Sequence, residues 1–172
     1  MNILILAGMS IALSIHLSQP VAAIPVGKVE QTAQTNSSEA AQKAFKEGEQ
    51  LYNRGTAEAL RGAIAQFEIA LKLYREAGDR RREARTLNNI GLVYDLLGEK
   101  QKALEYYNQS LPLRRAVGDR HGEAITLNNI GQVYSELGEQ LKALEYYSQS
   151  LPLFRVLDDA GGEASNLNNI GG

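Results

Sequence analysis

The chain has no cysteine and no tryptophan, four prolines, and two histidines, His16 and His121. Without cysteine there is no disulfide, no thiol nucleophile and no thiolate metal site. The histidines are far apart, and His121 sits in an expected loop without partners at metal-ligand spacing, so it reads as solvated. A large charge of one sign is also missing. Eighteen Lys and Arg face twenty Asp and Glu, for a net charge of −2. That balance argues against a nucleic-acid surface or a polybasic membrane patch. The short basic run Arg80-Arg81-Arg82 reads as a solvated turn. No nucleophile–base pair or metal cluster stands out, so the expectation is no enzyme activity and no cofactor. The 172 residues allow one ordinary domain.

Charge is absent altogether from Met1 to Gly27. The apolar centre, Ile3 to Leu17, has the length of a signal-peptide core and is short for a spanning helix. Pro20 breaks it, and Val21-Ala22-Ala23 places small residues where a signal peptidase reads. The expectation is a signal peptide over 1–23, cleaved after Ala23, and an extracytoplasmic protein, periplasmic or secreted. The alternative is an uncleaved N-terminal membrane anchor over Met1–Val26. Residues 24–37 follow, and their polar, aperiodic part from Lys28 to Ser37 reads as a flexible spacer.

What dominates the chain is a repeat. Glu83–Gly122 and Glu123–Gly162 are two copies of one 40-residue unit, identical at 27 of 40 positions. A third copy opens at Glu163 with EASNLNNIG and runs to the last residue, Gly172. Such a period signals stacked units, none of which buries its apolar face alone. Within each unit, Leu87, Ile90, Gly91 and Tyr94 form one stripe of a first helix. Ala103 is the matching small residue on a second helix, with Tyr107 filling the space beyond. Gly98-Glu99 and Gly138-Glu139 are tight turns inside each pair. Gly118 ends one pair in the left-handed conformation and Asp119 caps the next. Pro112 and Pro152 fall inside the second helices and are expected to kink rather than break them, because Leu111, Leu113 and Val117 continue the apolar pattern.

Residues 38–82 read as a divergent first unit. Ser38 is expected to cap a helix from Glu39 carrying Ala41, Ala44, Phe45, Gly48, Leu51 and Tyr52. Thr56 caps the next helix, Gly78 closes it and Asp79 starts the following one. The link from Gly55 to Ala63 is longer than its later equivalents, as end repeats often are irregular.

The set Leu87, Ile90, Gly91, Tyr94, Gly98, Ala103, Tyr107, repeated at Leu127, Ile130, Gly131, Tyr134, Gly138, Ala143, Tyr147, resembles the tetratricopeptide repeat from about Ser38 to the end. It departs where Ser110 and Ser150 replace a usual alanine and where the prolines are shifted to Pro112 and Pro152. The resemblance implies an all-α, right-handed solenoid of stacked antiparallel helix pairs, divided as 38–82, 83–122, 123–162 and a partial unit over 163–172. Similar LNN elements occur in kinesin light chains and related adaptors. The LNNIG–ALEYY repeats also resemble those of signal-bearing bacterial proteins that continue into a caspase-like CHAT protease.

In this family the first helices line a concave groove that binds peptides. The resemblance places Asn89, Asn129 and Asn169 along it, as a ladder of amides able to pair with an extended backbone. Arg85, Leu92, Gln132, Asp95, Ser135 and Glu136 are expected to flank it, with Ile125 and Leu96. The structural alternative is that these Asn side chains bond between neighbouring helices. Asn88, Asn128 and Asn168 read as structural. A carboxylate-clamp groove needs several Lys and Arg, and Arg85 is the only candidate, so no preference for acidic C-terminal tails is expected. Tyr106-Tyr107 and Tyr146-Tyr147 read as core and rim. The expected partner is a protein or peptide, with no nucleic acid and no membrane after cleavage, and the open last half-repeat leaves self-association as an option. Two readings stand: a non-catalytic interaction scaffold, or the repeat-bearing portion of a larger CHAT-protease-like enzyme whose catalytic Cys and His are not in this chain.

Overall fold

The computed structural model describes residues 26–171, with side chains from Ser37 onward. The expected leader over 1–23 lies outside these residues. Among the described residues there are seven helices and no strand: α1 Val26–Arg54, α2 Ala57–Glu76, α3 Arg80–Leu96, α4 Lys100–Ala116, α5 Arg120–Glu136, α6 Gln140–Val156 and α7 Ala160–Gly171. They pair as hairpins α1/α2, α3/α4 and α5/α6, with α7 opening a fourth. Each hairpin stacks on the next, and the first helices α3, α5 and α7 touch in series. This is a helix-pair solenoid.

Local chemistry sets the boundaries. The Thr56 hydroxyl accepts from Ala59 N at 3.2 Å and opens α2. Asp79, Asp119 and Asp159 each accept from the backbone three residues on, at 3.0, 3.1 and 2.9 Å. These bonds satisfy orphan donors at the starts of α3, α5 and α7. Gly78 and Gly118 end α2 and α4 at φ 69° and 66°. Asp119 N then donates to Arg114 O at 2.9 Å, closing the six-residue helix-ending ring. Asp158, at φ 52°, fills the same place after α6 with a residue that glycine would relieve. Helix α4 continues through Pro112 and α6 through Pro152.

One boundary differs from the sequence reading. Helix α1 begins at Val26, so Lys28–Ser37 is helical rather than a spacer, and Ser38 is not a cap. From Lys28 to Ala44 there is no Gly or Pro to stop the helix. Once Ala41, Ala44 and Phe45 are packed, each further turn adds a hydrogen bond without a new nucleation cost.

The interior of every hairpin is organised by an aromatic ring on a glycine. A Cβ at Gly91 would stand 2.6 Å from the Tyr107 ring. Gly131 meets Tyr147, and Gly48 meets Phe67, at the same 2.6 Å. The sequence reading placed Tyr107 beyond the crossing and Ala103 at it. In the structure the Tyr107 ring itself occupies the glycine's space, with Ala103 fully buried alongside. Ser110, where alanine was expected, is fully buried and donates to Ala84 O at 2.8 Å. Between hairpins the core is apolar, with Leu87, Ile90 and Val93 packed on Phe67, Leu71 and Tyr74, and Leu127, Ile130 and Val133 on Leu104, Tyr107 and Leu111.

The Tyr107 hydroxyl is buried without a hydrogen-bond partner among the described residues, and burial pushes its pKa far above the ordinary tyrosine value. The first hairpin carries Phe67 at the corresponding place. Tyr107→Phe is therefore expected to leave stability unchanged or raise it, since an orphaned buried polar group costs about 1–3 kcal/mol. Gly91→Ala is expected to lose about 1–3 kcal/mol, because its methyl group meets the ring. Urea unfolding of both variants checks the pair; a Gly91→Ala midpoint equal to wild type would refute the ring-on-glycine packing.

Candidate functional site

The first helices present one continuous face. Arg85 on α3 reaches Glu49 on α1 at 2.7 Å and lies 4.6 Å over the Phe45 ring, which ties α1 to α3 on this face. The helical spacing of Arg85, Asn89, Leu92 and Leu96 puts them along one side of α3. Asn89 and Leu92 are half-buried, whereas Arg85 and Leu96 are exposed. Ile125 and Asn129 hold the matching half-buried places on α5, and Asn169 on α7.

The Asn row is not uniform. Asn129 Nδ2 donates across the repeat boundary to Asn88 Oδ1 at 3.4 Å, and the Thr126 hydroxyl lies 3.0 Å from the same oxygen. One repeat later, Asn169 Nδ2 and Asn166 Nδ2 donate to Asn128 Oδ1 at 3.4 and 3.2 Å. Asn88 and Asn128 therefore stitch consecutive hairpins together. Asn129 and Asn169 each spend one N–H on that stitch and keep a carbonyl and a second N–H. Asn89 has no such partner among the described residues. Its amide lines a cleft of about 410 Å³ between α1 and α3, together with Glu49, Tyr52, Asn53, Phe67 and Leu92.

The flanking residues are largely committed to one another. Lys100 donates to Asp95 Oδ1 at 2.7 Å and also pairs with Glu136. Gln132 donates to Glu136 at 3.2 Å, and Ser135 donates to Gln140 at 3.3 Å. Thus the charged pair Asp95–Lys100 of one hairpin becomes the neutral pair Ser135–Gln140 of the next. Burial alone would lower the Lys100 pKa, but its hydrogen bonds to Asp95 and Glu136 prevail and raise it. The Lys100 hydrogen bond outweighs burial at Glu136 and lowers that carboxyl's pKa.

Several residues expected to be solvated have partners. Arg80 pairs with Glu83 at 2.8 Å, Arg82 with Asp79 at 2.6 Å, and Arg81 approaches Asp119 at 3.9 Å. His121 lies on the first turn of α5, not in a loop, and its Nε2 is 3.1 Å from Asp159 Oδ2 of the next cap. The buried Glu83 and Glu123 receive Arg75 and Arg115 at 2.8 and 2.7 Å, and Arg155 reaches Glu163 at 2.7 Å. Tyr94 stacks on Tyr106 at 5.4 Å and Tyr134 on Tyr146 at 5.5 Å, with Lys102 and Lys142 over Tyr94 and Tyr134. These rings are consumed within the hairpins. Among the described residues, no group of three or more acidic or His side chains is placed to hold a metal ion, and no helix is long and apolar enough to cross a membrane.

The Lys100 bridge has a pH signature. A depressed Glu136 contributes stability that is complete above its ordinary value of 4.5 and lost as pH falls through the folded value. A raised Lys100 contributes stability that is complete below 10.5 and lost as pH rises through the folded value. Lys100→Gln is expected to flatten both flanks of the stability profile, read from denaturation midpoints across pH. A variant curve parallel to wild type on both flanks would remove the bridge from the account.

A family model described as tetratricopeptide repeat matches residues 51–116 and 113–155, more than half of the chain. Among solved structures, the chain is similar to the TPR domain of Arabidopsis FLU, with a TM-score of 0.65 and 20% identity, covering 70% of this chain and 98% of that one. It is also similar to BtubC (BKLC) from P. vanneervenii, with a TM-score of 0.50 and 21% identity, covering 81% and 65% respectively. At these identities the likeness speaks for the fold. No curated protein matches the sequence.

Proposed function

Since the chain belongs to the tetratricopeptide repeat family, a family of protein-interaction modules, we propose that it is a non-catalytic scaffold that holds an extended peptide segment of a protein partner against the shared face of α1, α3, α5 and α7. The observation that carries this reading is the Asn89 amide, half-buried in the α1/α3 cleft and free of side-chain partners among the described residues. Asn129 and Asn169 continue the row with one N–H and one carbonyl each unspent by the stitch. Main-chain pairing through such amides gives affinity, while pockets between them select side chains. The face offers no cationic cluster for a terminal carboxylate, because Glu49 already holds Arg85 and Asp95 and Glu136 hold Lys100. The uncharged stretch Met1–Gly27 supports delivery of the scaffold out of the cytoplasm, and N-terminal sequencing of the exported product, with Met1 retained or removed, decides whether it is an anchor or a cleaved leader.

The test is selection of random octapeptides on the full chain, followed by titration of the selected sequences. Asn89→Ala and Asn129→Ala are each expected to weaken binding about 2- to 12-fold, the range of one net hydrogen bond. Gln109→Ala, exposed on α4, is expected to change nothing. Affinity lost with Gln109→Ala but kept with both Asn variants would move the binding surface to the second helices and reject the proposal.

A further inference from the structure

The α1/α3 cleft differs from its own internal copy. With Gly48, Gly91 and Gly131 in register, Glu49, Tyr52 and Asn53 of α1 correspond to Leu92, Asp95 and Leu96 of α3, and these to Gln132, Ser135 and Glu136 of α5. Phe67 corresponds to Tyr107. Between α3 and α5 the Lys100 ammonium spans the face, bound at once to Asp95 and Glu136. Between α1 and α3 the residues in those two carboxylate positions are Tyr52 and Leu96. Neither can hold an ammonium ion, so the Lys100 bridge has no counterpart here, and the ion contact between α1 and α3 is Arg85–Glu49. Leu96 is 59% exposed, a large apolar side chain at the place where the next repeat carries Glu136. The cleft is walled by Tyr52, Phe67 and Leu92, with the amides of Asn53 and Asn89 among its lining.

Charge narrows the occupant. Glu49 is the only ionised group in the lining. Arg85 binds its Oε1 and is itself held over Phe45, which fixes the carboxylate at the cleft and leaves Oε2 available to a cation. An acidic side chain at the Oε2 edge of Glu49 would face a carboxylate oxygen, with Arg85 held on the Oε1 side, and a polar one would be desolvated against Tyr52 and Leu92.

We propose that this cleft is the anchor subsite of the scaffold: it takes one large apolar side chain, Phe or Leu, of an extended partner segment whose adjacent residue is Lys or Arg. The apolar side chain packs between Tyr52 and Leu92, above the buried Phe67 ring. Asn89 pairs with the backbone beside it. The neighbouring cation meets Glu49. This rests on the face described above being the binding face. The divergence of the first hairpin then has a use. Among the described residues, it opens a position along the face where no amide stitch forms and the Lys100 bridge has no counterpart, and the amides beyond it read backbone without choosing side chains.

The experiment is an array of octapeptides in Ser-Gly flanks that samples every pair of central residues, probed with the full chain and with variants that install the chain's own second-cleft residues. Leu92→Gln copies Gln132, and Tyr52→Asp copies Asp95. Both substituents already occupy these helix positions elsewhere in the chain, and circular dichroism checks each fold. Wild type is expected to retain Phe-Lys, Leu-Lys and their Arg counterparts at least tenfold above Ala-Lys and Phe-Glu, and either variant is expected to bring that ratio near one. Glu49→Gln is expected to abolish the preference for the basic neighbour while keeping that for the apolar residue. Retention of polar or acidic pairs equal to apolar–basic pairs, or a ratio unchanged in the folded variants, overturns the anchor. If the peptides still respond to Asn89→Ala and Asn129→Ala in that case, the binding face stands without this anchor. If no octapeptide is retained, or none responds to either Asn variant, the face and the anchor fall together.

Discussion

Everything in this molecule depends on a ring resting on a glycine. Two helices approach closely only where one offers no Cβ, and Gly48, Gly91 and Gly131 provide that place three times. The ring that fills it comes from Phe67, Tyr107 or Tyr147, each almost wholly buried. Because the contact is flat and large, it fixes both the distance and the rotation of the hairpin. Rotation matters most. It sets which stripe of the first helix turns inward, Leu87–Ile90–Val93, and so which residues remain on the open side, Asn89 and Leu92 among them. A buried hydroxyl without a partner at Tyr107 is tolerated because the ring's packing outweighs it.

A hairpin so built still has a bare flank, and the next hairpin covers it. The dependence is visible in one pair of leucines. Leu104 on α4 is 6% exposed beneath α5, whereas its counterpart Leu144 on α6 is 41% exposed. Apolar stacking alone would allow the hairpins to slide or rotate past each other. Two polar devices give the register. Arg75, Arg115 and Arg155 reach Glu83, Glu123 and Glu163 across each inter-hairpin turn, and the amides of Asn88 and Asn128 accept from the following repeat. At the buried members, Glu83, Glu123 and Asn88, removal of one partner costs more than the contact contributes, so there a slipped register is penalised more than the native one is stabilised.

How much of this could be read from the chain follows from where each signal lives. Local chemistry was legible: Thr56, Asp79 and Asp119 cap where a short polar side chain precedes a helical run, and Gly78 and Gly118 end helices at positive φ. The 40-residue period gave the hairpins and the stripe that they bury. The start of α1 was hidden because a polar, aperiodic stretch carries no stripe, and a helix already nucleated downstream can extend through it. The Arg–Glu series carried a usable signal, since both residues recur with the period at a separation of eight, but opposite charges eight apart are not neighbours on one helix, so only the turn between them brings them together. Of the face residues, the sequence located Asn89 and Asn129 equally. Their difference arises from what stands one repeat earlier: Asn88 precedes Asn129 and accepts its amide, whereas the corresponding place in α1 is Phe45, which accepts nothing.

That asymmetry bears on how a repeat protein acquires a site at all. Identical units give identical surfaces, and a ladder of identical amides binds many segments weakly and equally. Selectivity needs one unit to differ without losing its place in the stack. The first hairpin meets both demands. It keeps the glycine and the ring, Gly48 and Phe67, and so stacks like the others. At the places of Asp95, Lys100 and Asn88 it carries residues that form neither that bridge nor that stitch, leaving Tyr52 and Leu92 half-buried beside an amide unpaired among the described residues. Packing constrains the residues between the helices and leaves those on the open stripe free to change. In a solenoid the stripe is where variation disturbs the stack least, and most of all at a unit such as the first hairpin, whose contact with the next is held by packing and not by an amide stitch.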